Sequence, residues 1–383
     1  MNYRSLCLVI GLTALVSLAQ EKVAPRSDLA QSKAAKHTWT TPRTPDGRPD
    51  FQGVWVNNNA TPLERPKELA GRATLTEEEL AAMKKKAHEL FGGEGDAAFG
   101  DTVFNAVLAN VNGTKSGFKS TDGETGDYSS VWTVERDWDN RTSQITDPPD
   151  GRLPAMTPEG QKRRDDDLAA RNRRPAGPED RRLQERCITY GSPSLVAGYQ
   201  SGYQIVQAPD SVVVTTEMIH DSRVFPLDGR PHLPSAVKQW LGDSRARWEG
   251  DTLVVDTTNY KPRSFMNISS EQLHVVERFS RTGPEVLQYE IKIDDPGTWM
   301  KPWSLMIPLR KAAHPLFEYA CHEGNYGLAG ILAGARAEEK AAGSGTGEVK
   351  PARSRLRVLE MLKKPWTSLA ACPTGKSKLL IGG

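Results

Sequence analysis

The chain has 383 residues, among them 33 Gly and 26 Pro, with 37% hydrophobic and 26% charged residues and a formal net charge of +2. That length allows two or three ordinary domains or one large β-rich one. The near-neutral balance excludes a dedicated nucleic-acid binder, which needs a basic excess to neutralise phosphates.

Met1 to Arg4 carries one positive charge, and the almost unbroken apolar run 5–19 ends in Ser17-Leu18-Ala19. This predicts a signal peptide over 1–19, cleaved after Ala19, and an exported protein, periplasmic or extracellular. The run is shorter than the roughly 20 residues that span a bilayer, and no later stretch reads as a transmembrane segment. Residues 20–44 read as a disordered linker. Order is expected from the turn at Pro45-Asp46-Gly47, followed by a strand at 51–56. Thr76 and Glu79 form a capping box that opens a helix over 76–91. The Gly- and Asn-rich stretch 99–125 reads as a loop, followed by short strands at 130–135 and 142–146. Thr157-Pro158 starts a second helix over 158–174, whose mixed Arg and Asp residues read as a solvated face.

From 203 to 322 the period becomes two. Nine strand-like segments are expected, at 203–207, 212–218, 223–227, 244–248, 252–257, 273–281, 286–293, 303–309 and 316–322. Most links are short and rich in Asp, Pro and Gly. Short links make consecutive strands antiparallel, and so many strands in one sheet curl to protect their edges. The predicted fold is therefore mainly β: an antiparallel meander forming a closed or strongly curved barrel over 45–330, with two or three peripheral helices. Residues 331–383 read as a linker and irregular tail.

Three cysteines remain after processing, Cys187, Cys321 and Cys372, none at metal-ligand spacing. Three pairings are possible in an oxidising compartment. Cys187 with Cys321 is favoured, because closure of the meander makes the first and last strands neighbours and could bring these two within bridging distance.

The motifs PDGRPDFQGVW (45–55), ITDPPDGRLPAMTPEGQKR (145–163), RVFPLDGRPHL (223–233) and QWLGDSRARWEGDTLVVDTTNY (239–260), with RWEGDTLVVDTTNY at its heart, resemble a family of uncharacterised exported bacterial proteins. The resemblance covers most of 45–328 and implies export and domain extent, with no activity to transfer. Gly53-Val54-Trp55 also resembles, more weakly, the first-strand triplet of lipocalin-like barrels.

Two constellations could carry chemistry. His220 and His232 with Glu217 and Arg223 have the makings of acid–base catalysis, in which an imidazole acts as base and a guanidinium holds developing charge. This reading is a secreted hydrolase, lyase or isomerase acting on a small or carbohydrate-like substrate, and it requires at least two of these side chains in one pocket. Strand alternation supplies the second: Val275, Glu277 and Phe279 share one face of their strand, and Leu287, Tyr289, Ile291 and Ile293 share one face of the next. Trp248, Phe279, Tyr289, Trp303 and Tyr319 would then line an aromatic cavity for a small, partly apolar ligand. That reading, the first choice, asks for a lumen of about 300 Å³ or more; an envelope scaffold without ligand is the third. No metal or cofactor is implied.

Overall fold

In the computed structural model, which describes residues 39–91, 101–114 and 136–343, the turn at Thr44–Gly47 closes through Thr44 O accepting from Gly47 N at 2.8 Å. Order begins earlier than expected, since Thr44 is buried and Arg43 pairs with Asp251. Strand β1 (Gly53–Val56) follows, and then α1 (Glu77–Phe91). The capping box forms: Glu79 N donates to Thr76 Oγ1 at 3.2 Å, and Thr76 N donates to the Glu79 carboxylate at 2.9 Å. The expected loop at 99–125 is instead helical in its first part, as α2 (Asp101–Val111). Its glycines and asparagines flank a stripe of Phe104, Val107 and Leu108, which packs with Leu69, Leu75, Met83 and Ala87 in a small core of its own. The signal peptide 1–19, the strand expected at 130–135 and Cys372 lie outside the described residues.

Strand β2 (Ile145–Asp147) precedes α3 (Pro158–Asn172), whose N-cap Thr157 accepts from Gly160 N. The basic residues of α3 are not all solvated. Arg163 donates to Ile268 O at 2.8 Å and to Thr298 Oγ1 at 2.8 Å, docking the helix onto the barrel's surface loops.

The sheet then runs through β3 (Gly202–Gln207), β4 (Ser211–Thr216), β5 (Ser222–Pro226), β6 (Asp243–Glu249), β7 (Thr252–Thr258), β8 (His274–Gly283), β9 (Val286–Asp294) and β10 (Trp303–Lys311). The strand order is β5-β4-β3-β1-β10-β9-β8-β7-β6, every pairing antiparallel, with β2 added on β10. This is the expected mainly β, nearly closed barrel. Two details differ from expectation. The segment 316–322 is not a strand, and the first and last strands of the meander, β3 and β10, are joined by β1 lying between them. The N-terminal strand thus completes the wall opposite the remaining gap.

That gap, the seam, lies between β5 and β6. Nine strands alternating in direction leave the two edge strands parallel to each other. A link between parallel neighbours must travel the length of the barrel. The connection 227–242 does this on the outside.

Inward-facing residues of every strand form one core, including Trp55, Tyr203, Val214, Phe225, Val255, Phe279, Tyr289, Trp303 and Ile307. At about 1.5–3 kcal/mol for each large apolar side chain, this burial is the main force holding the wall together. Beyond β10 the chain is helical again, as α4 (Tyr326–Gly343), where a linker was expected. Gly327, Gly330 and Gly334 dilute its helix signal. The helix is held to the body by the Arg174–Glu338 pair and by Arg336 donating to the carbonyls of Pro175 and Ala176.

Candidate functional site at the barrel seam

Alternation along β8 aims Val275, Glu277 and Phe279 into the barrel, so one carboxylate enters an apolar interior and is fully buried there. It is met from the other side of the seam. Arg223, on edge strand β5, points inward beside Phe225, whose ring lies 4.7 Å from the guanidinium carbon. Arg223 donates to Glu277 through Nη1 at 2.8 Å and Nη2 at 2.5 Å, to Thr257 Oγ1 at 3.1 Å and to Ser244 Oγ at 3.3 Å. One side chain thereby ties β5 to β6, β7 and β8 where no ladder does. Its Nε is buried and has no hydrogen-bond partner.

Tyr289 completes the group, its hydroxyl donating to Glu277 Oε1 while its ring stacks on Phe279 at 4.4 Å. Burial, and then the Glu277 carboxylate, push the Tyr289 phenol well above its usual pKa. Burial works against the charge on Arg223, but the adjacent carboxylate more than offsets it, so the guanidinium holds its proton more firmly than usual. Tyr260, buried nearby, is raised to about 12, chiefly by burial.

Beside this network lies a cavity of about 20 Å³, walled by Arg223, Glu277, Phe279, Tyr289, Tyr203 and Asp221 and covered by Gly191, Ser192, Ser194 and Leu241. That volume accommodates about one water molecule, far short of the roughly 300 Å³ that the expected open aromatic lumen asks for. The cover is fastened from several sides. Asp221 accepts from Thr189 Oγ1 at 2.6 Å and Tyr190 N at 3.0 Å, and Tyr203 OH donates to Ser194 O at 2.8 Å. Gly191 has φ +100°, and a Cβ there would stand 2.5 Å from the carbonyl oxygen of Ser264, so only glycine allows this approach. Burial raises the pKa of Asp221, against the hydrogen bonds from Thr189 and Tyr190.

Cys187 and Cys321 form a disulfide with a Cα separation of 5.8 Å. The expected pair is therefore present, but for a different reason. Neither cysteine lies in a strand; the bridge joins the covering segment to the 316–321 segment at one end of the barrel.

The four proposed acid–base residues are dispersed. Only Arg223 lines the cavity. Glu217 is buried and accepts from Gly202 N and Phe317 N, both at 3.1 Å; exposed His220 accepts from Tyr319 N at 3.1 Å. Both therefore anchor the 316–321 segment. His232 lies on the outer face, between Asp243 and Asp256. Of the five aromatic residues, Phe279 and Tyr289 line the cavity. Trp303 is wholly buried against Phe265 and Trp299, and Trp248 packs on Phe51. Tyr319 sits in the loop before α4.

The sequence signal for Glu277 is a lone acid beside Val275 and Phe279 on the inward face of its strand. Among the described residues no group of three His, Cys, Asp or Glu is placed to hold a metal ion, and no helix is long and apolar enough to cross a membrane. No family model, curated protein or solved structure matches the chain.

Proposed function

We propose that this chain is an exported, non-catalytic binding protein that takes a small, partly apolar ligand at the seam pocket rather than in an open lumen. The observation that carries this reading is the buried Arg223 Nε, left without an acceptor next to a stacked aromatic pair. A neutral acceptor, such as a carbonyl or hydroxyl oxygen, satisfies that N–H without disturbing the Arg223–Glu277 charge balance, while Phe279 and Tyr289 offer an apolar wall. An anionic ligand is disfavoured, because Glu277 already neutralises Arg223 and Asp221 stands on the same wall. Since the cavity holds about one water, entry of a larger ligand displaces Leu241 or the segment 191–194.

Native mass spectrometry of protein purified from its own host tests the reading. A bound mass that disappears in Arg223→Met, with the fold retained, is expected. Protein that carries no added mass and shows no ring-signal shift at Phe279 or Tyr289 with any small amide, ketone or alcohol would make the barrel a packed envelope scaffold instead. The filled interior is the feature that favours that second reading.

A further inference from the structure

The cluster left unused by the pocket lies on the outer face of β6, β7 and β8, and its centre, His232, belongs to the 227–242 crossover. His232 Nδ1 is 3.0 Å from Asp243 Oδ2, and its Nε2 is 2.9 Å from Asp256 Oδ1. A neutral imidazole has one N–H and one lone pair, so it can donate to only one of two carboxylates and turns a lone pair toward the other. Both contacts are favourable only for imidazolium. His274, on β8, adds a second imidazole to the same acceptor, with Nε2 at 3.0 Å from Asp256 Oδ2.

The 231–233 stretch shares these carboxylates, whereas the end of the crossover is held without them: Lys238 donates to Glu271 O at 3.1 Å, Gln239 N donates to Asn259 O at 2.9 Å and Gln239 O accepts from Lys261 N at 2.8 Å. Leu233 N donates to Asp243 Oδ2 at 2.8 Å, Arg245 binds Asp243 Oδ1 at 2.7 Å and Pro231 O at 3.0 Å, and Asn259 donates to Leu233 O at 2.9 Å. The crossover is thereby pinned across the one place where the barrel wall has no ladder, and it ends in Leu241, which covers the pocket.

We infer that the 229–236 part of the crossover is a proton-dependent strap: pinned to β6 and β7 while His232 and His274 are imidazolium, and released from them when they lose their protons, with Gln239 still held by its backbone bonds to Asn259 and Lys261. The charged groups facing the clamp are Asp243 and Arg245 on β6, Asp256 on β7, His274 on β8, and Lys292 and Asp294 on β9; Asp228 and Arg230 pair with each other on the strap itself. With both imidazoles charged, the four cations of the clamp face three carboxylates. With both neutral, two cations face three carboxylates, and a lone pair of His232 points at one of them. Hydrogen bonds from His274 and His232 help to hold the Asp256 pKa below the usual carboxylate range, and Asp256 in turn raises that of His274. The clamp stands whether or not the pocket binds anything.

Hydrogen exchange on the full chain, without ligand, tests the strap. Between pH 5.5 and 8.5, after correction for intrinsic exchange, protection of the peptide spanning 229–236 is expected to fall by about tenfold or more, the scale of one charge-assisted hydrogen bond. Peptides from β4 and β9 should keep theirs. His232→Gln should exchange fast at both pH values, with the strand peptides still protected. If that variant does not fold, the wild-type comparison and the NMR titration of the His232 ring decide alone. Protection at 229–236 that is the same at both pH values overturns the strap, as does a folded His232→Gln that keeps the pH dependence. Native mass spectrometry fails or succeeds independently of either result.

Discussion

Replacing Glu277 by Leu should be among the costliest single changes in the barrel, and replacing Arg223 in the same molecule should restore much of the loss. Glu277 accepts two hydrogen bonds from Arg223 and one from Tyr289 at a site with no solvent exposure. Without it, a guanidinium whose side chain is 9% exposed keeps only Ser244 and Thr257. Leaving one partner of a buried pair uncompensated costs about 3–5 kcal/mol, and the orphaned Tyr289 hydroxyl adds about 1 kcal/mol. Arg223→Met should cost less than Glu277→Leu, because a stranded carboxylic acid can take up a proton whereas a guanidinium cannot lose one. The double variant Arg223→Met/Glu277→Leu removes both charges and should lie within about 2 kcal/mol of wild type. On the same strand, Arg278 pairs with Glu249 on the outer face, each about two-fifths exposed; Arg278→Met should cost less than about 1 kcal/mol. Urea unfolding of these variants closes a double-mutant cycle. Additive losses, or a Glu277→Leu variant within about 1 kcal/mol of wild type, would refute the bridging role of the pair.

Other consequences are open to direct measurement. Cys187→Ser or Cys321→Ser should lower stability by about 2–5 kcal/mol, since the bridge spans a sequence separation of 134 and so constrains the unfolded chain strongly. The unsubstituted protein without residues 1–19, denatured and unreduced, should show one reactive thiol, at Cys372, and three would exclude the bridge. Glu217→Ala should cost about 2 kcal/mol and speed amide exchange at Phe317, because two N–H groups lose their acceptor; unchanged exchange at Phe317 would contradict its anchoring role. Stability should also fall on both sides of a plateau. Asp139, Asp243 and Asp256 have lowered pKa values, so their contribution is present above the unfolded carboxylate range and lost as pH falls through the folded values. His274 has a raised pKa, so its contribution is full below the unfolded imidazole value and lost as pH rises through the folded one. Urea midpoints measured against pH should show both limbs, and His274→Asn should flatten the alkaline one.

The parts of the fold legible in the sequence were those set by local chemistry. Thr76 and Glu79 cap a helix through reciprocal bonds within one turn, and alternation on β8 and β9 sorted inward from outward residues, Glu277 included. Where a local signal was masked, expectation failed. The stripe of α2 was obscured by flanking Gly and Asn, and α4 by its internal glycines. The extended run 316–322 looked like a strand because its composition suits one, yet its amides bind Glu217 and His220 rather than a neighbouring strand. Partnership across long separations was the least legible. His220 and His232 are close in sequence, but a turn carries one to the end of the barrel and the crossover carries the other to its outer face. Arg223 and Glu277 are 54 positions apart and meet because the sheet curls.

The unpaired seam explains why the polar chemistry collects where it does. The nine strands on the path of the sheet among the described residues leave its edges, β5 and β6, parallel to each other, and no ladder joins them. Two burdens then fall on that seam. Side chains must hold it from within, which requires a group long enough and with enough donors to reach several strands, and Arg223 meets that need only with a buried carboxylate to balance its charge. The link between parallel edges must also cross the outer wall, where it needs polar anchors of its own, and His232 with its two carboxylates provides them. A buried ion pair inside and a proton-sensitive clamp outside are therefore two answers to one topological fact.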